Sequence, residues 1–342
     1  AGGGSDTEEP TDTTGGGGDG GGGETTTADP GEIQEGGTLV WGHSEVTQNL
    51  DIHQTATAST GRFLNSVYDP LVGLTRDLEL STEPDVASPG LATDWEVSDD
   101  LMTYTFSLRE GVTFHDGTEL TAEDVKYSFD RIANPETGAI MQFVFGSTDS
   151  VEVEDDYTVV INQSERYQPL LRQLAFSGTS IVPADSGDTI GDEPIGTGPF
   201  QFVMRQQGNR AELEAFGDYW GEGPYLDAVE ERTVTDPDSR LTGIQEGSYD
   251  LINDIPLDDI NDVVGNDGDD IKTRTWSPLS WAFLNMNNTE PPFDDPDFRK
   301  AVDFCIDKPA LVEGALFGNG RPTATPSFPN SPFRNTELSP RP

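Results

Sequence analysis

Few residues in the sequence could carry nucleophilic or metal chemistry. It contains three histidines, His43, His53 and His115. His43 and His53 lie ten residues apart in one predicted loop and could be proposed as metal ligands, but no third ligand is indicated near them. His115 precedes an Asp-Gly pair, which turn formation explains without chemistry. We therefore predict no catalytic residues, no metal site and no cofactor.

The single cysteine, Cys305, lies between Phe304 and Ile306 in an apolar stretch with helical spacing. No His or Asn partner is indicated, so we predict a buried structural thiol, which cannot form an intramolecular disulfide. The many carboxylates could include the paired Asp and Glu of a glycosidase. An extracellular hydrolase therefore stays open as an alternative, although solvation of the surface also explains the acidic residues.

Charge is the dominant feature of the composition. The chain has 63 acidic and 19 basic residues and a formal net charge of −44. Such a field repels nucleic acids and anionic lipid headgroups, so we exclude nucleic-acid binding. Five Trp and 17 Phe residues favour a folded core after about residue 36. We interpret the acid as a surface adapted to concentrated salt and predict a halophilic organism.

The clearest structural pattern runs from Pro89 to Ile132. Residues 101–108 alternate, which predicts a strand with one buried face formed by Met102, Tyr104, Phe106 and Leu108. After two turns, Thr121 and Asp124 have the spacing of a helix N-cap with its acidic partner. The apolar residues that follow recur at helical spacing and predict a helix packed on the strands.

Similar patterns along the chain predict further elements. No apolar run approaches the ~20 residues needed to span a bilayer. Residues 194–200 contain two Gly and two Pro but lack the Gly-Lys-Ser/Thr of a phosphate loop. The other predicted elements are a strand at 38–41, a helix from 59 or 60 to 67, hairpins within 151–161 and 201–215, helices at 169–176, 240–246, 296–304 and 309–317, and a strand at 249–252.

Residues 1–36 consist mostly of Gly, Thr, Asp and Glu and predict a disordered, solvated tether. The segment resembles the linker that follows the lipid-modified cysteine of archaeal and bacterial surface lipoproteins. A lipid anchor ahead of this segment is one interpretation, and an inert tail is the other.

Several ordered motifs resemble the solute-binding proteins of ABC importers, family 5, which bind dipeptides, oligopeptides, nickel or oligosaccharides. The segment Asn49-Leu-Asp-Ile-His53 resembles a Leu-Asp-Pro-His loop of that family, with Ile52 where Pro is usual. The further matching segments are Leu91-Ala92, Trp95–Ser98, Tyr104–Phe106, Leu108-Arg109, Gly111-Val112, Phe114–Gly117, Leu120–Val125, Pro194–Phe200, Asp218–Gly221, Pro224–Asp227, Phe293–Asp295, Phe298–Val302 and Ile306–Lys308.

The resemblance implies an α/β fold, the two-lobed, type II fold of periplasmic binding proteins in its large peptide-binding subgroup. Residues 37–67 and 194–280 would form the core of lobe I, and 68–193 an additional subdomain. In the family the chain crosses into the second lobe near the equivalent of 281–287. Only ~55 residues follow that crossing in this sequence, too few for an independent core. We therefore expect a C-terminally truncated chain in which 281–342 begin an incomplete lobe II.

The resemblance also implies a mechanism without covalent chemistry, in which solute bridges two lobes that close around it. It places a ligand-binding segment after the loop that ends at His53, where small residues let a peptide backbone approach. An ordinary helix-entry loop is the alternative there. Phe143 and Trp281 are candidate pocket walls, and core packing is their alternative. The candidate ligand-binding residues are Thr55, Ala56, Thr57, Ala58, Ser59, Phe143 and Trp281.

We expect an extracytoplasmic component of an ABC importer that delivers a peptide-like solute to the permease transmembrane subunits. A nickel chelate or an oligosaccharide is the alternative cargo in the same role. The protein should be a monomer on the extracellular face of the membrane or in a periplasmic equivalent, held by a lipid anchor, and should not bind ATP. A structural cell-surface protein would show internal repeats, which the sequence lacks.

Overall fold

A computed structural model describes residues 33–44, 49–55, 58–84, 88–184, 186–187, 189–265, 271–273, 283–323 and 337. Residues Ala1–Glu35 and Gly36–Pro342 are two compact units, and all of the described strands and helices belong to the second.

The described residues form eleven strands and seven α-helices. The strands are β1 (Thr38–His43), β2 (Gly73–Leu74), β3 (Leu80–Ser81), β4 (Ala92–Val97), β5 (Thr103–Leu108), β6 (Thr148–Asp155), β7 (Thr158–Gln163), β8 (Phe200–Gln206), β9 (Arg210–Ala215), β10 (Ala228–Thr233) and β11 (Leu251–Ile252). The helices are α1 (Ala58–Leu64), α2 (Ala122–Ala133), α3 (Leu170–Gln173), α4 (Pro237–Gln245), α5 (Ile260–Gly265), α6 (Pro296–Cys305) and α7 (Lys308–Leu316). Among these residues no helix is both long and apolar enough to cross a membrane.

A five-stranded mixed sheet in the order β11-β1-β10-β9-β8 combines β1 with four strands that follow much later in the chain. The strand β1 runs parallel to β10 and β11, whereas β8, β9 and β10 are antiparallel. Its core includes Phe63 and Leu64 of α1 with Leu213 of β9 and Val229 of β10. The sheet and α1 therefore share one apolar layer.

A four-stranded antiparallel sheet in the order β4-β5-β7-β6 forms the second layer, and α2 packs on it. The alternation predicted for residues 101–108 is confirmed within β5, because Tyr104, Phe106 and Leu108 are buried, whereas Met102 lies before the strand and is only half-buried. The predicted helix start is also confirmed, since the Thr121 N–H donates to the Asp124 carboxylate at 2.8 Å. Burial of the apolar face of α2 holds the helix on the sheet.

The chain passes twice between the two sheets, and these passes pack on one another. The Gly198 N–H donates to the Val67 carbonyl and the Phe200 N–H to that of Ser66, both at 2.9 Å. A Cβ atom on Gly198 would lie 2.7 Å from the Val67 carbonyl carbon, so only glycine permits this approach. His115 donates through Nε2 to the Gly198 carbonyl at 2.9 Å. The structural role predicted for the His115 turn is therefore confirmed.

Two predictions about local structure are wrong. The predicted helix at 169–176 is a single turn, because the Thr179 hydroxyl lies within hydrogen-bonding distance of the Gln173 and Phe176 carbonyls and ends it. Cys305 is exposed rather than buried. It lies on α6, where no residue is buried in the described structure, so its apolar spacing is not matched by a core. The predicted helices at 296–304 and 309–317 are confirmed.

Candidate ligand-binding site

The loop of residues 49–55 leaves the five-stranded sheet beyond β1 and leads to α1. Parallel strands β1 and β10 end at the same edge of the sheet, and in open α/β sheets ligands bind outside the carboxyl ends of such strands. Asp51 folds the loop back on itself, because its Oδ1 accepts the His53 N–H at 3.0 Å and its carbonyl accepts the Gln54 N–H at 3.1 Å. Both Asp51 and His53 are buried.

An arginine from α2 completes this loop. Arg131 donates from Nη2 to Asp51 Oδ2 at 2.6 Å and from Nη1 to Asp51 Oδ1 at 3.1 Å. The same Nη1 lies 2.8 Å from His53 Nδ1. The side chains of Arg131 and Asp51 are only 10% and 4% exposed, so the two residues form a buried, bidentate ion pair.

The imidazole of His53 is neutral in this setting. Burial lowers its pKa to about 4, and the adjacent Arg131 contributes in the same direction. With Nδ1 accepting from Arg131, Nε2 carries the proton and donates to the Ser180 carbonyl at 2.9 Å. Both ring nitrogens are therefore engaged, which leaves His53 unsuited to metal ligation.

His43 ends β1, and its Nε2 contacts the buried carboxylate of Glu231 in β10. The two side chains are 1% and 2% exposed. The Trp41 ring stacks obliquely near the His43 ring, with the centroids 5.3 Å apart. Within the described residues, no group of three or more His, Cys, Asp and Glu side chains is arranged to hold a metal ion.

The predicted ligand-binding segment begins where this loop ends. Thr55 is half-buried, and its hydroxyl donates to the Asn49 carbonyl at 3.1 Å. Ala56 and Thr57 lie outside the described residues, and Ala58 and Ser59 are described only as the first backbone positions of α1. The predicted role of these five residues in binding stays a prediction.

Phe143 lies in a 3₁₀ turn at Gln142–Phe145, and its ring is 60% exposed. Core packing, the alternative interpretation, does not describe this side chain. The chain just before it meets the candidate loop, because the Ile140 N–H donates to the His53 carbonyl at 2.9 Å. The Gln54 side-chain amide donates to the Thr137 carbonyl at 2.8 Å. The other proposed pocket wall, Trp281, lies outside the described residues.

Sequence reasoning missed Arg131 and Asp51, which are 80 positions apart. One signal could have found them. Asp51 lies between Leu50 and Ile52 in an apolar segment, and a buried carboxylate requires a cationic or hydrogen-bonding partner. Arg131 precedes Ile132 in the inward-facing pattern of α2 and is a basic residue placed to supply that partner.

A second buried carboxyl, Asp69, lies where the chain crosses between the sheets. Its Oδ2 accepts from Thr197 Oγ1 at 2.9 Å and from Trp220 Nε1 at 3.0 Å. Burial raises the pKa of Asp69 to about 6, although these hydrogen bonds oppose the rise. The Arg109 guanidinium stacks 4.6 Å above the Trp220 ring. These contacts hold three segments of the chain together and do not resemble the paired carboxylates of a hydrolase.

Comparison with curated proteins finds related sequences. The chain is 32% identical over 288 residues to the glutathione-binding protein GsiB of Pectobacterium atrosepticum, covering 83% of this chain and 54% of that protein. It therefore spans about half the length of the curated relatives it matches.

Two solved structures have the same fold. One is the periplasmic binding protein AgaA of A. tumefaciens R10 in complex with agropinic acid, with 28% identity and a TM-score of 0.70 over 82% of this chain and 56% of that one. The other is DppA of Helicobacter pylori in complex with the peptide STSA, with 25% identity and a TM-score of 0.77 over 90% of this chain and 64% of that one.

The similarity to DppA confirms the mixed α/β fold predicted from the resemblance. The model of the bacterial extracellular solute-binding proteins, family 5 middle, matches residues 87–342, and the chain belongs to this family.

Proposed function

We propose that the protein is the extracytoplasmic solute-binding component of an ABC importer, capturing a peptide-like solute and delivering it to the permease. The observation that carries the proposal is the buried Asp51–Arg131–His53 network, which fixes the loop of residues 49–55 that follows the carboxyl end of β1 in the chain. Binding needs only such a preorganised surface, whereas turnover would need positioned reactive groups.

The comparisons support a peptide-like solute. GsiB is named for glutathione, and the DppA structure holds the peptide STSA. Residues Thr55–Ser59 would present backbone groups to an extended ligand, and Phe143 and Trp281 would wall a side-chain pocket. The second lobe of the fold would close over the solute by hinge motion.

The proposal extends to the setting of the protein. The Gly-rich acidic segment 1–36 would act as a tether to a lipid anchor on the outer face of the membrane. A net charge of −44 favours a monomer, since like-charged copies repel one another. The same charge is consistent with a halophilic organism.

The test is a solute screen on protein produced from its complete gene, in 2 M KCl. Thermal shift and calorimetry would compare glutathione, dipeptides and tetrapeptides with Ni²⁺, nickel–histidine and oligosaccharides. The expected result is a saturable rise in the melting temperature with a peptide-like solute, recovered intact after binding. If only a nickel chelate or an oligosaccharide stabilised the protein, that solute would replace the peptide as the proposed cargo. Hydrolysis of a bound peptide or glycoside would overturn the proposal.

A further inference from the structure

The candidate loop and the arginine that fixes it belong to different layers of the fold. Residues 49–55 connect β1 to α1 on the five-stranded sheet, whereas Arg131 lies in the last turn of α2, which packs on the four-stranded sheet. The guanidinium reaches across to Asp51 and His53 through three contacts of 2.6 to 3.1 Å.

These contacts, together with hydrogen bonds inside the loop, fix the path of its backbone. Asp51 holds the His53 N–H with the same Oδ1 that accepts from Arg131. The carbonyl of His53 accepts the Ile140 N–H, and that of Asn49 accepts the Thr55 hydroxyl. A guanidinium can satisfy both carboxylate oxygens and the imidazole nitrogen in one plane, which a lysine ammonium cannot reproduce.

We propose that Arg131 is a positioning residue for solute binding, holding the loop of residues 49–55 so that Thr55 meets the solute. The inference rests on the proposed function, because it assigns solute contact to Thr55. It also makes the four-stranded sheet and α2 part of the binding device, although Arg131 itself need not touch the solute.

The same helix offers a matched control. Lys126 forms an ion pair with Asp130 one turn along α2, and both side chains are exposed, at 37% and 55%. Lys126→Gln removes a cation and an ion pair from α2 without touching the loop. Comparison with Arg131→Gln therefore separates the effect of losing a positive charge on α2 from the effect of losing the guanidinium contacts with Asp51 and His53.

The experiment uses protein from the complete gene as wild type, Arg131→Gln, Arg131→Lys and Lys126→Gln. Hydrogen–deuterium exchange measures the amides of Leu50, His53 and Gln54, with the amides of β5 and β7 as an internal reference. Calorimetry measures the affinity for glutathione, or for the tightest peptide found in the solute screen. Arg131→Lys guards against loss of folding in Arg131→Gln, since it keeps the buried charge.

We expect both Arg131 variants to speed exchange in the loop and to weaken solute binding by at least about tenfold, with β5 and β7 unchanged. Lys126→Gln should match wild type in both measurements. If an Arg131 variant with faster exchange in the loop bound solute with wild-type affinity, the inference would be overturned, and the proposed function would be unaffected. Equal acceleration in the loop and in β5 and β7 would reduce Arg131 to general stability and overturn it too. A wild type that binds no solute would overturn the proposed function, and the inference with it, before any variant is compared.

Discussion

At the scale of single residues, Asp69 shows how burial sets a titration. It accepts hydrogen bonds from two neutral donors, Thr197 and Trp220, and burial raises its pKa to about 6. The unfolded chain would ionise the same carboxyl near its ordinary value of 3.8. Between these values the folded protein binds more protons at this site, so ionisation of Asp69 lowers stability as the pH rises.

We predict that Asp69→Asn flattens this dependence. Relative to the variant, wild type should lose stability as the pH rises from about 4 to above 6, by up to roughly 3 kcal/mol in the free energy of unfolding. An amide can still accept from Trp220 and carries no charge to bury. Urea unfolding of both proteins at pH 4, 5, 6, 7 and 8 measures the difference.

Asp99→Asn is the control for this titration, since Asp99 lies exposed in the turn before β5. This variant keeps Asp69 and should still lose stability as wild type does when the pH rises from about 4 to above 6. A constant difference between wild type and Asp69→Asn would show that Asp69 is ionised at ordinary cost in the folded protein.

At the scale of elements, two phenylalanines near each other in sequence have opposite surroundings. Phe129 of α2 is fully buried and stacks on Phe145 with the ring centroids 4.8 Å apart, whereas Phe143 is 60% exposed. We predict that Phe129→Ala lowers the free energy of unfolding by ~3–5 kcal/mol through the cavity it leaves. Phe143→Ala should change it by less than about 0.5 kcal/mol.

The same pair separates stability from binding. If Phe143 walls the solute pocket, Phe143→Ala should weaken peptide binding severalfold while its urea midpoint matches wild type. A large stability loss in this variant would instead assign the ring to packing. Unchanged affinity would remove Phe143 from the proposed pocket.

The crossing between the sheets depends on a glycine that admits no side chain. A Cβ atom at Gly198 would lie 2.7 Å from the Val67 carbonyl carbon and 2.8 Å from the Ser66 carbonyl oxygen. We predict that Gly198→Ala costs ~1–3 kcal/mol, since backbone must shift to admit the methyl group. Gly61→Ala is the matched control in α1, where nothing lies within 4 Å and helix propensity should raise stability by up to ~1 kcal/mol. Denaturant melts that rank the two variants in the reverse order would contradict this account.

Local elements were predictable from sequence where one short-range pattern determined them. The alternation of residues 101–108 sets the buried face of β5, and the Thr121–Asp124 spacing sets the start of α2. Both signals lie within a few residues and agree with the packing. The end of α3 was not predictable, because the Thr179 hydroxyl that ends it lies beyond the periodic apolar segment.

The site was predictable only in part. The resemblance pointed to the loop at 49–53, but nothing local pairs Asp51 with an arginine 80 positions away. Long-range ion pairs depend on how two layers meet, which periodicity does not encode. The predicted burial of Cys305 is wrong for the converse reason, since its helical apolar pattern is real but α6 has no buried face in the described structure.

At the scale of the whole molecule, charge sets the conditions in which the fold works. The formal net charge is −44, and several ion pairs, such as Arg205 with Asp192 and Lys300 with Asp297, join a cation to a highly exposed carboxylate. Pairs of this kind contribute little, so general repulsion among carboxylates dominates the surface electrostatics. Salt at molar concentration reduces the Debye length from ~10 Å to ~3 Å and screens that repulsion.

We therefore predict that the melting temperature rises by at least about 5 °C between 0.1 M and 2 M KCl, measured by calorimetry at pH 7. Relief of repulsion should account for most of the rise, and salting-out of apolar surface adds to it. Sucrose at matched osmolality is the control, because it is excluded from the surface without screening charge. A rise with sucrose equal to that with KCl would assign the effect to exclusion. An unchanged melting temperature in KCl would mean that the carboxylates are already too far apart to destabilise the fold, and the halophilic interpretation of the surface would fail with it.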